Sequence, residues 1–480
     1  MANEKQSKLH AIVFPLPYQG HINPFVNLAL KIASKGFAVT FVHLEFIHHK
    51  LTKAHHNKTT TEVDFFSEAR ESGLDIRYAT ISDGFPLEFD HDANLPEYWN
   101  FLFRYFPAYV DEFIGKMVQS DPNSIYFLIA DAVFAWPGTI AAKYNFVNVA
   151  FSTEAALVFC LAYHWDILNE KGHAPLKGNV DHVEIDYIPG VQSISTKDLM
   201  SYLVDPECVV REGLYVGLFM DNKKADFFLH NTVHELESEA LSALNKHQPN
   251  YAIGPANFYK DNATNTVSKS FWPQSDYAKW LDSKSPGSVL YVSFGSLVQF
   301  SKQVIEEIAY GLLLSEVNFI GVVREGILSC GDTNVLPIGF EDETKDRGLI
   351  IPWCDQIMVL SNPAVGGFLT HNGWNSTVES MWCGVPMICY PIAYDQITNT
   401  KLVVDDWKIG IRLCDHGTSV DRKVVAEKIK NFMSEKRLRE EAEKVKETYH
   451  NALKSDGSSE RNFDQFINDL KKKLACHIDK

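Results

Sequence analysis

A chain of 480 residues with 45% hydrophobic residues is too long for one ordinary core, so its length predicts two domains that each bury a sizeable interior. The formal net charge of −16 argues against a nucleic acid or an anionic membrane surface as partner, because either would require a basic face. The eight cysteines form no C-x-x-C pair and indicate neither a zinc site nor a disulfide framework, and no apolar run approaches the ~18 residues of a membrane span. We therefore predict a cytoplasmic monomer without membrane insertion.

The first fifty residues follow the pattern strand, loop, helix, strand. Apolar runs at 9–14 and 37–42 predict the two strands. The helix between them is predicted to have Pro24 at its first position and to stop at Gly36. The same alternation returns between residues 125 and 151. It predicts a parallel sheet with helices on both faces.

A polar stretch separates the two halves of the chain. We predict an interdomain linker at 256–275, because this stretch holds few apolar residues. Residues 1–255 then form an N-terminal domain and 276–455 a C-terminal domain, in which strand and helix patterns alternate again. The closing residues 456–480 have apolar side chains at helical spacing and predict a helix that packs back on the N-terminal domain.

The 44 residues from 353 to 396 carry most of the information about function. Trp353 offers a flat face for a nucleobase, and Gln356 offers a hydrogen bond to a ribose. Hydrogen-bond donors at 371–376 precede an apolar-periodic run, which is the pattern of a helix N-terminus, where free N–H groups and the macrodipole favour an anion. Glu379, one turn inside this helix, is placed to accept from both ribose hydroxyls.

Three polar residues follow buried strands of the second half. Asp395 and Gln396 come after a strand predicted at 385–390, where they either recognise the hydroxyls of a sugar or cap the following turn. Ser296, beside Gly295, comes after a strand predicted at 289–293. Its hydroxyl faces a ligand or simply belongs to a turn. In open α/β sheets ligands are expected at these carboxyl ends of the strands.

A histidine and an aspartate mark the corresponding edge of the first half. His21 lies beside the predicted helix start, where the positive potential disfavours the imidazolium form and suits a general base. Asp131 follows the strand predicted at 125–130. A carboxylate bonded to one ring nitrogen fixes the tautomer and stabilises the imidazolium that forms on proton transfer. Taken singly, the two residues fit a structural histidine and a helix cap.

Together these segments resemble the plant family 1 UDP-dependent glycosyltransferases. The residues 353–396 match the donor-binding signature of that family, and the likeness extends to NTVHELE at 231–237, WLDSKSPGSVLYVSFGS at 280–296 and DGSSERNFDQFINDL at 456–470. The resemblance implies an α/β fold of the GT-B type, with two facing Rossmann-like domains, parallel sheets and a deep interdomain cleft. The N-terminal domain then binds the acceptor and the C-terminal domain the UDP-sugar.

The resemblance also implies an activity. This is inverting, metal-independent transfer of glucose from UDP-glucose to a phenolic or terpenoid hydroxyl or carboxyl of a small lipophilic acceptor, without a cofactor other than the donor substrate. His21 is then the general base and Asp131 its orienting acid. The residues at UDP-binding positions are Ser296, Trp353, Cys354, Gln356, His371, Trp374, Asn375, Ser376 and Glu379. The residues at sugar-binding positions are Thr153, Trp374, Asp395 and Gln396.

The expected acceptor pocket comes from loops of the first half that are rich in aromatic residues. It comprises Phe14, Tyr18, Gly20, Trp99, Phe103 and Gly190. Asp355 departs from the family, which usually has proline at this position. We expect its negative charge to weaken binding of a diphosphate.

Other functions remain open. The same fold is compatible with another UDP-sugar, or with a non-catalytic protein that holds a nucleotide sugar or a small lipophile. A nicotinamide oxidoreductase is disfavoured, because no G-x-G-x-x-G follows the first strand. The triplet Asp90-His91-Asp92 has the form of a metal-binding D-x-D but lies far along the chain from the nucleotide signature, so we predict no metal site.

Overall fold

The computed structural model describes residues 8–54, 66–91, 93–176, 182–208, 210–259, 277–329, 335–414 and 418–478. The chain divides into two compact units. The first unit comprises Met1–Ile194, Tyr202–Phe271 and Ala452–Lys480, and the second comprises Ser195–Ser201 and Trp272–Asn451. Of the predicted linker at 256–275, residues 260–275 lie outside the described residues.

The first unit is built on a parallel sheet. The strands from the N-terminus onward are β1 (Leu9–Phe14), β2 (Ala38–Leu44), β3 (Ile76–Ile81), β4 (Ile125–Asp131), β5 (Val147–Ser152), β6 (Glu184–Ile185), β7 (Ile194–Ser195), β8 (Phe227–His230) and β9 (Asn250–Ala252). Among the described residues, seven of them form the sheet in the order β3-β2-β1-β4-β5-β8-β9, while β6 and β7 pair separately. Ile12 of β1 lies opposite Thr40 on one side and Leu128 on the other. This central strand is buried along nearly its whole length.

Helices connect these strands. They are α1 (Gln19–Ser34), α2 (Glu45–Ala54), α3 (Ser67–Glu71), α4 (Leu95–Arg104), α5 (Phe106–Ser120), α6 (Pro137–Tyr144), α7 (Ala156–Tyr163), α8 (Trp165–Glu170), α9 (Ser201–Val204), α10 (Arg211–Leu214) and α11 (His234–Leu244), with a π-helical segment at Tyr215–Asp221. The apolar face of α1 is buried, as in any helix that packs on a sheet.

Helix α1 begins earlier than predicted. The carbonyl of Tyr18 accepts from the N–H of His21 (2.8 Å) and of Ile22 (2.9 Å), which closes a first turn that starts at Gln19. Pro24 therefore lies inside the helix and not at its first position. A tertiary bond from His21 to Asp131 favours this early turn, and local sequence does not reveal such a bond. Gly36, with a φ of 87°, follows the helix end as predicted.

The second unit repeats the parallel-sheet design. Its strands are β10 (Val289–Ser293), β11 (Asn318–Val322), β12 (Gly348–Ile351), β13 (Val365–Thr370), β14 (Met387–Cys389) and β15 (Gly410–Arg412). Their order is β12-β11-β10-β13-β14-β15, and each neighbouring pair is parallel. Strand β14 is shorter than the predicted 385–390, in keeping with the missing N–H of Pro386.

The helices of the second unit are α12 (Ala278–Asp282), α13 (Lys302–Ser315), α14 (Phe340–Thr344), α15 (Gln356–Leu360), α16 (Trp374–Cys383), α17 (Gln396–Lys401), α18 (Arg422–Ser434) and α19 (Lys436–Ala452), with a π-helical segment at Leu402–Asp406. The side chains of Leu290, Phe319 and Leu369 from the sheet join Ile308 of α13 and Ile429 of α18 in one buried cluster.

The last helix, α20 (Ser458–Ile478), belongs to the first unit. The Lys31 ammonium of α1 pairs with Glu460, and the hydroxyl of Tyr251 donates to Asp469 (3.0 Å). The ring of Phe466 packs edge-on against Phe227. Helix α20 thus packs beside α1, β8 and β9.

Both sheets have the strand order of doubly wound folds. Successive strands are added on one side of the first strand, and later strands are added on its other side. The reversal lies between β1 and β4 in the first unit and between β10 and β13 in the second. At such points the carboxyl ends of the strands leave room for a ligand. The two parallel sheets with their connecting helices confirm the predicted α/β fold of two Rossmann-like domains.

Candidate functional site

His21 and Asp131 meet at the reversal point of the first sheet. The Nδ1 atom of His21 lies 2.7 Å from Oδ2 of Asp131, although 110 positions separate the two residues. His21 is the third residue of α1, and Asp131 is the last residue of β4. The structure therefore brings together the two residues that the sequence singled out as base and orienting acid.

The Asp131 carboxylate is fixed on several sides. It is 1% exposed, its Oδ1 accepts from the N–H of Val133 (3.1 Å), and its Oδ2 also accepts from the N–H of Leu16 (3.4 Å). The hydroxyl of Thr153 lies 2.8 Å from Nδ1 of His21. Because the carboxylate only accepts, the Nδ1 proton points to Asp131 and the lone pair of the neutral ring lies on Nε2.

Close to His21 along the sequence is the first residue of an aromatic stack. Tyr18, three residues before His21, stacks on Trp99 of α4 with ring centroids 5.7 Å apart. Trp99 in turn stacks on Phe103 at 5.3 Å. These three residues belong to the predicted acceptor pocket. Trp99 contacts both of the other rings and is 6% exposed.

The other predicted acceptor residues are placed differently. Gly20 is exposed in the first turn of α1, whereas Phe14 is 2% exposed and packs edge-on against Trp136. Gly190 packs against α11, where a Cβ would lie 2.5 Å from that of Ala243. This close contact and a φ of 83° require glycine at 190 for packing, whatever its relation to an acceptor.

In the second unit, α16 begins at Trp374, within the segment 371–376 that was predicted as a helix N-terminus. Asn375 and Ser376 follow in its first turn, and the helix stops at Gly384, which has a φ of 72°. The indole of Trp374 is buried near Trp407, with ring centroids 6.2 Å apart. The arrangement suits an anion.

His371 sits between two glycines at this helix end. A Cβ on Gly295 would lie 2.5 Å from its Cε1, and a Cβ on Gly373 would lie 2.6 Å from its Nε2. Burial lowers the pKa of His371 to about 3, and the charge of Arg324 acts in the same direction. The ring is therefore neutral. Within the described part of the chain its buried Nδ1 makes no hydrogen bond, so it is available to a ligand.

Arg324 is a site residue that sequence analysis missed. Its side chain is 6% exposed, its Nε donates to the carbonyl of Gly295 (2.9 Å), and its other nitrogens donate to the carbonyls of Val298 and Glu325. It thereby holds the loop that carries Ser296, which is partly buried after β10. The sequence did contain a signal for it, because Arg324 is a charged residue only two positions after the apolar strand β11.

The predicted ribose residues lie together. The side-chain nitrogen of Gln356 donates to Glu379 (2.7 Å) and to Ser376 (3.0 Å), and its oxygen accepts from the hydroxyl of Tyr291 (3.2 Å). Tyr291 stacks on Phe368 in the core and was not predicted as part of the site. Gln356 thus joins α15 to α16.

Two neighbours of Gln356 precede α15. Trp353 is partly buried, as a platform for a base requires, and Cys354 is buried with its sulfur 3.4 Å from the hydroxyl of Tyr291. Asp355, which was expected only to weaken donor binding, is the N-cap of α15 and accepts from the N–H of Met358 (3.1 Å). The structure therefore gives it a stabilising role that the sequence comparison with proline did not reveal.

Asp395 and Gln396 lie at the start of α17. The side-chain oxygen of Gln396 accepts from the N–H groups of Ile392 (2.9 Å) and Ala393 (3.2 Å), so this residue does cap the preceding turn. Asp395 accepts from the side-chain amide of Asn399 (2.7 Å). Because the Gln396 oxygen is committed to the backbone, its amide is fixed with the NH₂ group pointing the other way.

Among the described residues, no group of three or more His, Cys, Asp or Glu side chains could hold a metal ion. Of the triplet Asp90-His91-Asp92, the last residue lies outside the described residues. His91 bonds Asp83 (2.8 Å), and Asp90 caps the N–H of Ala93 (2.9 Å). Over the same part of the chain, a helix both long and apolar enough for a bilayer is also absent.

Comparison with known proteins connects these sites to a family. The family model described as "UDP-glucoronosyl and UDP-glucosyl transferase" matches residues 252–452. The chain is 47% identical to UDP-glycosyltransferase 86A1 of Arabidopsis thaliana, over 100% of this chain and 98% of that protein. It is 33% identical to 7-deoxyloganetin glucosyltransferase of Catharanthus roseus, over 98% of both.

A solved structure gives the same fold. UGT2 of Phytolacca americana, complexed with UDP-2fluoro-glucose and pterostilbene, is 24% identical with a TM-score of 0.76, over 96% of this chain and 100% of that chain. Full-length identity of 47% to one plant UDP-glycosyltransferase, together with two Rossmann-like domains, leads to one conclusion. The chain is an enzyme of the plant family 1 UDP-glycosyltransferases, with the GT-B fold of that family.

Proposed function

We propose that this enzyme transfers glucose from UDP-glucose to an oxygen of a small lipophilic acceptor, with inversion at the anomeric carbon and without a metal. The observation that carries the proposal is the bond between His21 and Asp131 at the reversal point of the first sheet. A glycosyltransferase of this family acts on small molecules, and the dyad supplies the base that a hydroxyl acceptor requires.

In the proposed reaction, Nε2 of His21 takes the proton of the acceptor hydroxyl as its oxygen attacks the anomeric carbon. The bond from that carbon to the UDP oxygen breaks, and the electron pair leaves with UDP. Asp131 stabilises the imidazolium through Nδ1, and its own contacts to Val133 and Leu16 keep the carboxylate oriented. This fixed geometry favours a catalytic dyad over a non-catalytic binding protein.

The second unit offers three groups to the departing diphosphate. The N-terminus of α16 provides the positive end of the helix dipole, the neutral His371 provides a ring nitrogen, and the loop held by Arg324 provides Ser296. Preorganised donors of this kind stabilise charge as it develops, because they need no reorganisation at the moment of reaction. The net charge of −16 makes such local donors necessary, since the bulk field repels a diphosphate.

Asp395 and Gln396 support glucose as the sugar. The Asp395 carboxylate can only accept hydrogen bonds from sugar hydroxyls. The side-chain oxygen of Gln396 is bonded to the backbone, so only its NH₂ group remains to donate hydrogen bonds to a sugar. Such a pair matches a fixed pattern of hydroxyls. A sugar with one axial hydroxyl leaves a polar group unpaired, at a loss of ~1–3 kcal/mol, or roughly ten- to a hundredfold in preference. The relative from Catharanthus roseus is named for glucosyl transfer, which agrees.

The aromatic stack of Tyr18, Trp99 and Phe103 supports a lipophilic acceptor. Flat apolar side chains bind planar or polycyclic molecules by area and contribute few polar groups of their own. An aromatic lining of this kind is compatible with both phenolic and terpenoid acceptors.

The test is an acceptor library incubated with UDP-glucose and read by mass spectrometry, followed by competition among UDP-glucose, UDP-galactose, UDP-xylose and UDP-glucuronate on the best acceptor. We expect a hexose adduct and a preference for glucose. A preference for another donor contradicts the glucose assignment alone. Binding of UDP-sugars without any adduct, even after prolonged incubation, supports the non-catalytic alternative and rejects the proposal.

A further inference from the structure

The segment Ser195–Ser201 packs in the second unit and includes the last residue of β7 and the first residue of α9. The rest of these two elements, including Ile194 and Tyr202 on either side of the segment, belongs to the first unit. It contains a single 3₁₀ turn, Thr196–Asp198, and most of its side chains are buried. No family position or sequence motif pointed to this segment as part of a site.

Ser201 binds one residue of the second unit through two hydrogen bonds. Its hydroxyl accepts from the N–H of Tyr394 (2.7 Å), and its own N–H donates to the carbonyl of Tyr394 (3.2 Å). Tyr394 has a φ of 60°, a left-handed conformation that is unfavourable for a residue with a Cβ. A strained backbone of this kind persists only where its surroundings hold it. Ser201 is such a holding contact.

A second anchor keeps the segment in place. The hydroxyl of Thr398, in α17, donates to the carbonyl of Asp198 (2.7 Å). Arg412 of β15 pairs with the Asp198 carboxylate (3.2 Å) and more closely with Asp405 (2.7 Å). The segment is thus bonded to both ends of the stretch that contains the predicted sugar residues.

Tyr394 is the residue immediately before Asp395 and Gln396. Gln396 closes the turn through the N–H groups of Ile392 and Ala393, and Ser201 holds the next residue of the same turn, Tyr394. Without the bond from Ser201, we expect the backbone at Tyr394 to relax from its left-handed conformation. Such a change rotates the following peptide and moves the Asp395 carboxylate.

We propose that Ser201 is a positioning residue for donor-sugar selection: by clamping Tyr394 it sets the orientation of Asp395 and Gln396. The inference rests on the proposed function, because it takes these two residues to contact the sugar. Neither Ser201 nor Tyr394 is among the residues that we expect to contact the uracil, the ribose or the diphosphate. We therefore expect the clamp to act on recognition of the sugar more than on recognition of UDP.

The experiment compares Ser201→Ala and Ser201→Thr with wild type, and uses Ser315→Ala as the matched control. Ser315 is a buried serine of the same unit whose hydroxyl donates to the carbonyl of Leu312 (2.8 Å) in α13, remote in sequence from the donor residues. We measure KM and kcat for UDP-glucose and UDP-galactose, and the affinities of UDP and both UDP-sugars by calorimetry.

The loss of one hydrogen bond corresponds to about a fivefold effect. For Ser201→Ala we expect KM for UDP-glucose to rise about fivefold and the preference for glucose over galactose to fall by a similar factor, with the UDP affinity unchanged. Ser201→Thr restores both values, because it keeps the hydroxyl. Thr398→Val, which removes the second anchor with little change of shape, shifts the preference in the same direction.

Equal sugar preference in Ser201→Ala, Ser315→Ala and wild type overturns the inference, even if both variants unfold at lower temperature. Parallel weakening of UDP and UDP-glucose also overturns it, because it indicates a general loss of the nucleotide site. If wild type binds UDP-sugars without transferring them, the proposed function fails, and the ratio of the UDP-glucose and UDP-galactose affinities still decides the role of Ser201.

Discussion

At the scale of single residues, the tautomer of His21 decides the proposed chemistry. Asp131 accepts at Nδ1, so the basic lone pair lies on Nε2. The hydroxyl of Thr153 shares the same ring nitrogen at 2.8 Å, and sequence analysis assigned this residue only to the sugar. The structure thus adds Thr153 to the group that orients the base.

His21→Ala is expected to lower kcat by ~10²–10⁴-fold, the usual contribution of a general base. The UDP affinity stays unchanged, because the proposed UDP residues all belong to the second unit. Asp131→Asn keeps the size of the side chain but places an amide beside Nδ1, and we expect it to lower kcat through the wrong tautomer. Steady-state kinetics on a hydroxyl acceptor measure both variants. Wild-type turnover of His21→Ala contradicts the assignment.

Position 295 requires glycine, because a side chain there would collide with the ring of His371. We expect Gly295→Ala to weaken UDP binding at least tenfold, because its φ of 72° disfavours a side chain and its Cβ would lie 2.5 Å from the ring. Gly326→Ala is the matched control, since it has a similar φ of 74° but its nearest atom is 3.8 Å away. Calorimetric titration with UDP compares the two. Equal affinity in both variants shows that the contact with His371 does not matter for UDP.

At the scale of elements, helix ends place the donor residues. Asp355 caps α15 and fixes Gln356 as its first residue, and the start of α16 brings Ser376 and then Glu379 to the same amide. The charge of Asp355 and its capping bond act on different properties. The charge is expected to repel a dianionic ligand, whereas the cap stabilises the helix.

Variants of Asp355 separate the two effects. Asp355→Asn keeps a capping side chain and removes the charge, so we expect tighter UDP binding at unchanged thermal stability. Asp355→Ala removes the cap as well and costs about 1 kcal/mol of stability. UDP titration and thermal unfolding measure the pair. If Asp355→Asn binds UDP no more tightly than wild type, the charge has no effect on the donor.

At the scale of the whole molecule, buried histidines predict how stability depends on pH. Burial is the largest cause that lowers the pKa of His43 and His371 to about 3 and that of His10 and His230 to about 4. The unfolded chain binds these protons near pH 6.5 and the folded chain does not. Stability is therefore complete above this pH and falls as the pH decreases toward 4, by about 1.4 kcal/mol per pH unit for each histidine.

Three of these histidines belong to the first unit and only His371 belongs to the second. We therefore expect the unfolding transition of the first unit to shift more steeply between about pH 7 and about pH 5. Calorimetric scans at several pH values measure the shift, and His230→Asn lowers the slope by one proton. A pH-independent transition over this range shows that the histidines titrate equally in both states.

Much of the architecture followed from local patterns. Alternating apolar runs and helix signals predicted the parallel sheets and the helix N-terminus before Trp374, because a buried strand or an amphipathic helix is recorded in the periodicity of its own residues. Errors arose where distant contacts prevailed. Helix α1 starts at Gln19 and not at Pro24.

The sequence by itself determined the fold class, the family and most residues of the candidate sites, since these depend on periodicity and on residue types in a fixed order. Only the tertiary structure showed that Thr153 contacts His21, that Arg324 holds the loop after β10, and that Ser201 clamps Tyr394. Each of these contacts joins residues that lie 29 to 193 positions apart. Local sequence does not encode such pairs, because they form only when strands and helices pack.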